Sequence, residues 1–144
     1  MKDATINDLI EVLEDGRNFY EEAAAKVPLP VLSALFARMA ATKAAIANDL
    51  RTALTAMGGT PSSEGTFAGS VRKTYAEVRA KLSVDKNHAY VAELEEFEDR
   101  ILKAFEYAAH NSADDRVRAI AQRYMPEVSR DHAHMRELKH AKAA

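Results

Sequence analysis

The apolar residues of this chain recur at alternating steps of three and four. The first run places Ile6, Leu9, Leu13, Gly16, Tyr20, Ala23 and Val27 in one line. That spacing draws a single stripe along an α-helix, and strand-like alternation is found nowhere in the chain. A second stripe holds Leu32, Leu35, Met39, then Thr42 or Lys43, then Ile46, Leu50, Ala53 and Met57. A shorter one holds Ala68, Val71, Tyr75, Val78 and Leu82. The fourth runs Val91, Leu94, Glu98, Ile101, Phe105 and Ala108, and the fifth Val117, Ile120, Tyr124, Val128, Met135 and Leu138. The pattern predicts an all-α chain with helices over about 5–26, 31–57, 66–82, 85–110 and 113–139.

The punctuation between stripes sets the topology. Thr5 or Asn7 supplies the first N-cap, Pro28-Leu29-Pro30 forces a tight turn, and Gly58-Gly59 ends the second helix. The stretch 60-TPSSEG-65 reads as a polar loop, and Asn111-Ser112 breaks the fourth helix. Pro126 predicts a kink or a new helical start near Met125. Tight connections make antiparallel hairpins. The connector from Gly58 to Val84 holds the short helix and, at ~1.5 Å per residue, can travel the length of a bundle. Two hairpins joined by such a crossover form the ferritin-like four-helix bundle. Tyr20-Glu21-Glu22-Ala23-Ala24 is echoed by Phe105-Glu106-Tyr107-Ala108-Ala109, 85 positions later, as two related hairpins would produce. Gly16 within its stripe costs roughly 1 kcal/mol against alanine, which close approach of a neighbouring helix would repay.

Composition narrows the chemistry. With 144 residues, 29% charged and 47% hydrophobic, one globular domain is expected. A net charge of −2 gives no global field for nucleic acid or an anionic membrane. The absence of cysteine excludes disulfides, thiolate metal sites and cysteine nucleophiles. The acidic start lacks the apolar core of a signal peptide, and no uninterrupted apolar run spans a bilayer, so a cytoplasmic location is expected. No Walker or Gly-x-Gly-x-x-Gly pattern occurs, and Ser62, Ser63 and Ser70 have no identifiable base.

Glu98 is the anomaly, a carboxylate in a stripe between Leu94 and Ile101. The stretches 8-DLIEVLEDGRNFYEEAA-24, 57-MGGTP-61, 66-TFAGSVRKTY-75 and 97-FEDRILKAFEYAA-109 resemble a bacterial family of ferritin-like four-helix bundles known only as a domain of unknown function. The resemblance implies a ferritin-like fold and no activity. Ferritin-like di-iron centres take a Glu from each of two helices and a Glu-x-x-His from each of the other two. Seven residues before Phe105 is Glu98, which fits, whereas seven before Tyr20 is Leu13, which does not. The second helix offers Thr42 and Ala45 where ligands belong, and shifting these by the 85-residue echo reaches Glu127 and Arg130. Too few ligands survive for a di-metal centre, and cations have joined the layer. The leading expectation is a polar core layer of Lys43, Glu98, Glu127 and Arg130, in which an ammonium or guanidinium stands where metal would. Level with it stands a slightly rotated helix whose Glu98 reaches water. A metal site of iron or manganese on Glu98, Glu127, Asp131 and His132 ranks behind both; His132 with Asp131 or Glu95 is its mononuclear form. His88, His110 and His140 sit at helix ends, where capping explains them.

The functional expectation is therefore a non-catalytic bundle with no cofactor, acting through protein association as a homo-oligomer or with a protein partner. Alanine patches at Ala23-Ala24-Ala25 and Ala40-Ala41 would allow close contact. Analogy with ferritin-like proteins extends the role to stress physiology. The alternative is a metal protein with oxidase or ferroxidase chemistry. A small apolar pocket beside Gly16 is a third reading, and DNA binding by the basic fifth helix ranks low.

Overall fold

The computed structural model describes residues 5–62 and 85–143. Among these, four long helices form an all-α bundle: α1 (Ile6–Lys26), α2 (Pro30–Ala56), α3 (Lys86–Asn111) and α4 (Asp115–Ala143). The expected short helix over 66–82 lies outside the described residues. The ends follow local chemistry. Thr5 caps α1 in a reciprocal box: its hydroxyl accepts from Asp8 N–H, and its own N–H donates to the Asp8 carboxylate at 2.9 Å. Pro30 sits in the first turn of α2, where its missing N–H costs nothing. Gly58 takes φ of 84° just past the end of α2, a conformation that glycine adopts without strain. Asp85 caps α3 by accepting from His88 N–H at 3.1 Å.

Asn7, the other expected cap, does different work. Its amide donates to Thr60 O at 3.0 Å and accepts from Ser62 N–H at 2.8 Å, gripping the backbone that leaves α2. Ser62 also donates to Glu11 at 2.9 Å, and Arg51 Nε donates to Ser62 O at 3.1 Å. At the opposite end of the bundle, Leu29 N–H donates to Asn87 at 3.0 Å, tying the first turn to the start of α3. Ser62 and Asp85 therefore stand at opposite ends of the molecule.

α1 packs against both α2 and α3, and α4 packs against α3. Two apolar clusters fill the interior. One gathers Ile6, Leu9, Leu13, Ile46, Leu50, Ile101, Phe105 and Val128. The other gathers Phe19, Tyr20, Phe36, Met39, Tyr90, Leu94, Phe97 and Met135, with Phe19 stacked on Phe97 at 4.9 Å. Gly16 lies at the boundary, where an added Cβ would stand 2.9 Å from Ile101 Cδ1. The close approach expected there is present, and among the described residues Ile101 Cδ1 occupies the space in which the third reading places a small pocket beside Gly16. α4 passes Pro126 as one continuous helix, so the expected new start near Met125 does not occur.

Candidate functional site: a four-helix polar layer

Each helix contributes one polar side chain between the two clusters: Tyr20 from α1, Lys43 from α2, Glu98 from α3 and Asp131 from α4. Tyr20, Lys43 and Glu98 are fully buried. The Lys43 Nζ donates to Asp131 Oδ2 at 2.7 Å and lies 2.8 Å from Glu98 Oε1. The Glu98 contact is an ion pair outside hydrogen-bonding angle, since Oε1 has no hydrogen-bond partner. The other oxygen, Oε2, accepts from the Tyr20 hydroxyl. The Lys43 Nζ also stands 5.9 Å from the centre of the Tyr20 ring, where the π face attracts a cation. Asp131 is the layer's link to solvent, with its side chain 16% exposed.

The electrostatics follow from burial. Loss of water pushes the Glu98 carboxyl above the usual carboxylate range, although the Lys43 charge and the Tyr20 hydroxyl oppose that shift. Burial also drives the Tyr20 phenol well above its ordinary value, and the Glu98 charge adds to the effect. The phenol therefore stays protonated and donates. Two carboxylates share one ammonium, so the ionised layer carries one excess negative charge.

Two expected members are not in this layer. Arg130 is exposed and Glu127 is half-buried, with Asp131 in the place assigned to them. The 85-residue echo misassigned the register. The α4 stripe itself gives the right answer: Asp131 lies three residues after Val128 and four before Met135. A neighbouring residue points about 100° away around the helix. Lys43 and Glu98 are brought together, so the alternative in which Glu98 rotates to water is corrected. Tyr20 carried no polar signal in the sequence beyond its phenol, because a tyrosine in an apolar stripe reads as core.

His132 faces outward from the layer. Its Nε2 lies 2.9 Å from Glu95 Oε2 and 3.7 Å from Asp99 Oδ1. Lys139 Nζ holds Glu95 Oε1 at 3.1 Å, and Lys103 Nζ holds Asp99 at 2.8 Å. Burial works to raise the Glu95 carboxyl, but bonds from Lys139 and His132 outweigh it and hold the group below its ordinary value. The His132 and Lys139 contacts stitch α3 to α4, whereas the Lys103–Asp99 pair lies within α3. Among the described residues, no group of three or more His, Cys, Asp or Glu side chains is placed to hold a metal ion.

A second feature lies outside, between α1 and α2. A groove of about 620 Å³ is lined by Arg17, Glu21, Ala25, Ala37, Ala41 and Ala44, among others. The alanine patches are thus divided: Ala23 and Ala40 are buried in the core, while Ala25 and Ala41 are exposed. α2 has the length and mean hydropathy of a membrane span, 1.2 over 18 residues, yet only 39% of that stretch is buried. A bundle-core helix passes the same test, and this one turns Lys43 inward and Arg38 and Asp49 outward. Its outer side carries the exposed alanines Ala37 and Ala41.

No curated protein matches the chain. A family model matches residues 3–111, which takes in Tyr20, Lys43 and Glu98 and ends where α3 ends. With more than half its length inside that match, the chain belongs to the family described as a domain of unknown function (DUF2383).

Proposed function

We propose that this protein is a non-catalytic, ferritin-like bundle whose interior is closed to metal chemistry and which acts by association, first of all with a second copy of itself. The observation that carries the reading is the Lys43 ammonium at 2.7 Å from Asp131 and 2.8 Å from Glu98. A ferritin-like metal centre is built from carboxylates bridging the ions, with imidazoles completing the set. The layer offers two carboxylates and a phenol, has no imidazole, and sets a fixed cation between the carboxylates. These residues do not fit a di-iron or di-manganese centre. His132, another ligand such a centre would recruit, pairs with Glu95 instead.

Association is supported by the outer face of α1 and α2. At ~1.5 Å per residue the 27-residue α2 is about 40 Å long, and two neighbouring helices present a face about 20 Å wide. That is about 800 Å², the area each partner contributes to a standard stable interface. Arg17 and Glu21 place both signs of charge on one wall of the groove, so that wall carries no net repulsion against a twofold-related copy of itself. A cytoplasmic setting belongs to the same reading.

The test is metal content per chain by mass spectrometry. Protein would be expressed with supplemented iron and manganese and purified without chelator, with Glu98→Ala alongside. The expected result is a metal-free wild type. Near-stoichiometric iron or manganese that disappears in Glu98→Ala would replace this reading with a carboxylate-bridged centre of oxidase or ferroxidase type.

A further inference from the structure

We infer that Glu98 and Asp131, with Tyr20 holding Glu98 through its other oxygen, form an oxygen-donor site for a hard divalent cation, which Lys43 keeps filled with its own ammonium, so that shortening Lys43 turns the layer into a one-ion metal site. The inference rests on the reading above that the ammonium is what excludes metal from the native chain.

Three observations carry it. The first is charge. Two carboxylates from different helices converge on one monovalent cation, at 2.7 and 2.8 Å. The ammonium neutralises one of them, whereas a divalent ion in the same place would neutralise both. The second is donor chemistry. The converging groups are carboxylate oxygens, backed by a phenol that fixes Glu98 through its other oxygen. Oxygen-only donors suit magnesium, manganese or calcium, and the absence of imidazole and thiolate from the layer disfavours zinc and copper. The third is preorganisation and access. Glu98 is fully buried and held by Tyr20, so its position does not depend on Lys43 alone. Asp131 reaches solvent and supplies an entry path. Lys43→Ala removes Cγ, Cδ, Cε and Nζ, and with Nζ the one cation that both carboxylates contact.

The experiment titrates MnCl₂ into the wild type, Lys43→Ala and Lys43→Ala/Glu98→Gln. Bound Mn²⁺ is read by electron paramagnetic resonance, and stability by thermal unfolding followed by circular dichroism. The expected result is one Mn²⁺ per chain in Lys43→Ala, with Tm raised by about 8 °C at a hundredfold excess over Kd. The wild type should bind none, and the double variant should bind at least tenfold more weakly. If Lys43→Ala is unfolded by itself, the same titration is read as recovery of helicity. n-Propylammonium chloride is the comparison, because it restores the missing side chain in pieces. Rescue by the amine without Mn²⁺ binding would overturn the inference, as would no response to either. Mn²⁺ uptake by the wild type would instead overturn the reading of a closed interior.

Discussion

A lysine ammonium shut inside a bundle must be matched by carboxylates, and the carboxylates by it. Removing one partner of such a pair strands the other in a medium that solvates it poorly. Lys43→Met keeps most of the side-chain volume and deletes the charge, leaving Glu98 and Asp131 facing each other. The expected loss is about 3–5 kcal/mol in urea unfolding at pH 7. Lys43→Met/Glu98→Gln should recover a large part of that loss, because the stranded charge is gone. A double variant as unstable as the sum of its single changes would show that the two groups do not interact. The same pair sets a pH dependence. Burial holds the folded-state Glu98 carboxyl above its ordinary value, so the folded protein binds that proton more tightly than the unfolded chain does. Its contribution is fully present below the unfolded carboxylate range and is lost as pH rises through the folded value. Stability should therefore climb as pH falls through the folded Glu98 value toward about 4.5, the ordinary Glu range, and Glu98→Gln should flatten that climb. Glu95 has the opposite sign, because Lys139 and His132 hold its carboxyl low. Its contribution is lost as pH falls through its folded value, below the Glu98 window. Glu95→Gln should therefore flatten the acid limb of the same urea-derived profile and leave the climb above it intact.

At the scale of the helix, Gly16 is a choice between propensity and fit. Alanine there would gain roughly 1 kcal/mol of helix propensity but press its Cβ to 2.9 Å from Ile101 Cδ1, in a fully buried core. Ile101 Cδ1 is the far end of a flexible side chain that can shift, so the cost stays near the low end of the about 1–3 kcal/mol of overpacking and Gly16→Ala should be near neutral. Ile101→Val removes the offending methyl. In that background Gly16→Ala should stabilise by up to roughly 1 kcal/mol, a coupling that thermal or urea unfolding of the four proteins would measure. The same stretch of chain shows what a stripe does and does not disclose. Helix identity and the antiparallel turns were legible because the apolar stripes keep to steps of three and four over several turns and the tight connections between them fall at Pro, Gly or Asn-Ser. The layer was half legible. Glu98 stood out because a carboxylate interrupts Leu94 and Ile101, and Lys43 because it lies between Met39 and Ile46. Asp131 fills the corresponding gap between Val128 and Met135, which the helix's own period marks, whereas the spacing of the 85-residue echo points to Glu127 and Arg130. Tyr20 was hidden because its ring satisfies the apolar stripe, and only the three-dimensional meeting with Glu98 gives its hydroxyl a purpose.

For the whole molecule, the question is what an alanine-faced α2 is for. Alanine adds little to a hydrophobic core and covers little surface, but it lets two helices approach closely. The buried half of α2 does core work through Phe36, Met39, Ile46 and Leu50. The outer half, with Ala37 and Ala41 exposed, has no such partner among the described residues. If this face joins two copies, sedimentation velocity should show a concentration-dependent species of twice the chain mass. Ala41→Glu places a carboxylate at the middle of the face. Because Ala41 is exposed in the single chain, the substitution should leave the monomer's stability within about 0.5 kcal/mol. Across a twofold the two new charges would be buried side by side, so the dimer should weaken by at least tenfold in Kd. Ala41→Leu, which preserves apolarity but blocks close approach, separates the two physical contributions. If close packing of backbones drives association, leucine should weaken the dimer as well. If apolar area alone drives it, leucine should strengthen the dimer. A chain that sediments as a monomer at every concentration, with both variants unchanged, would remove the second copy as the occupant of this face.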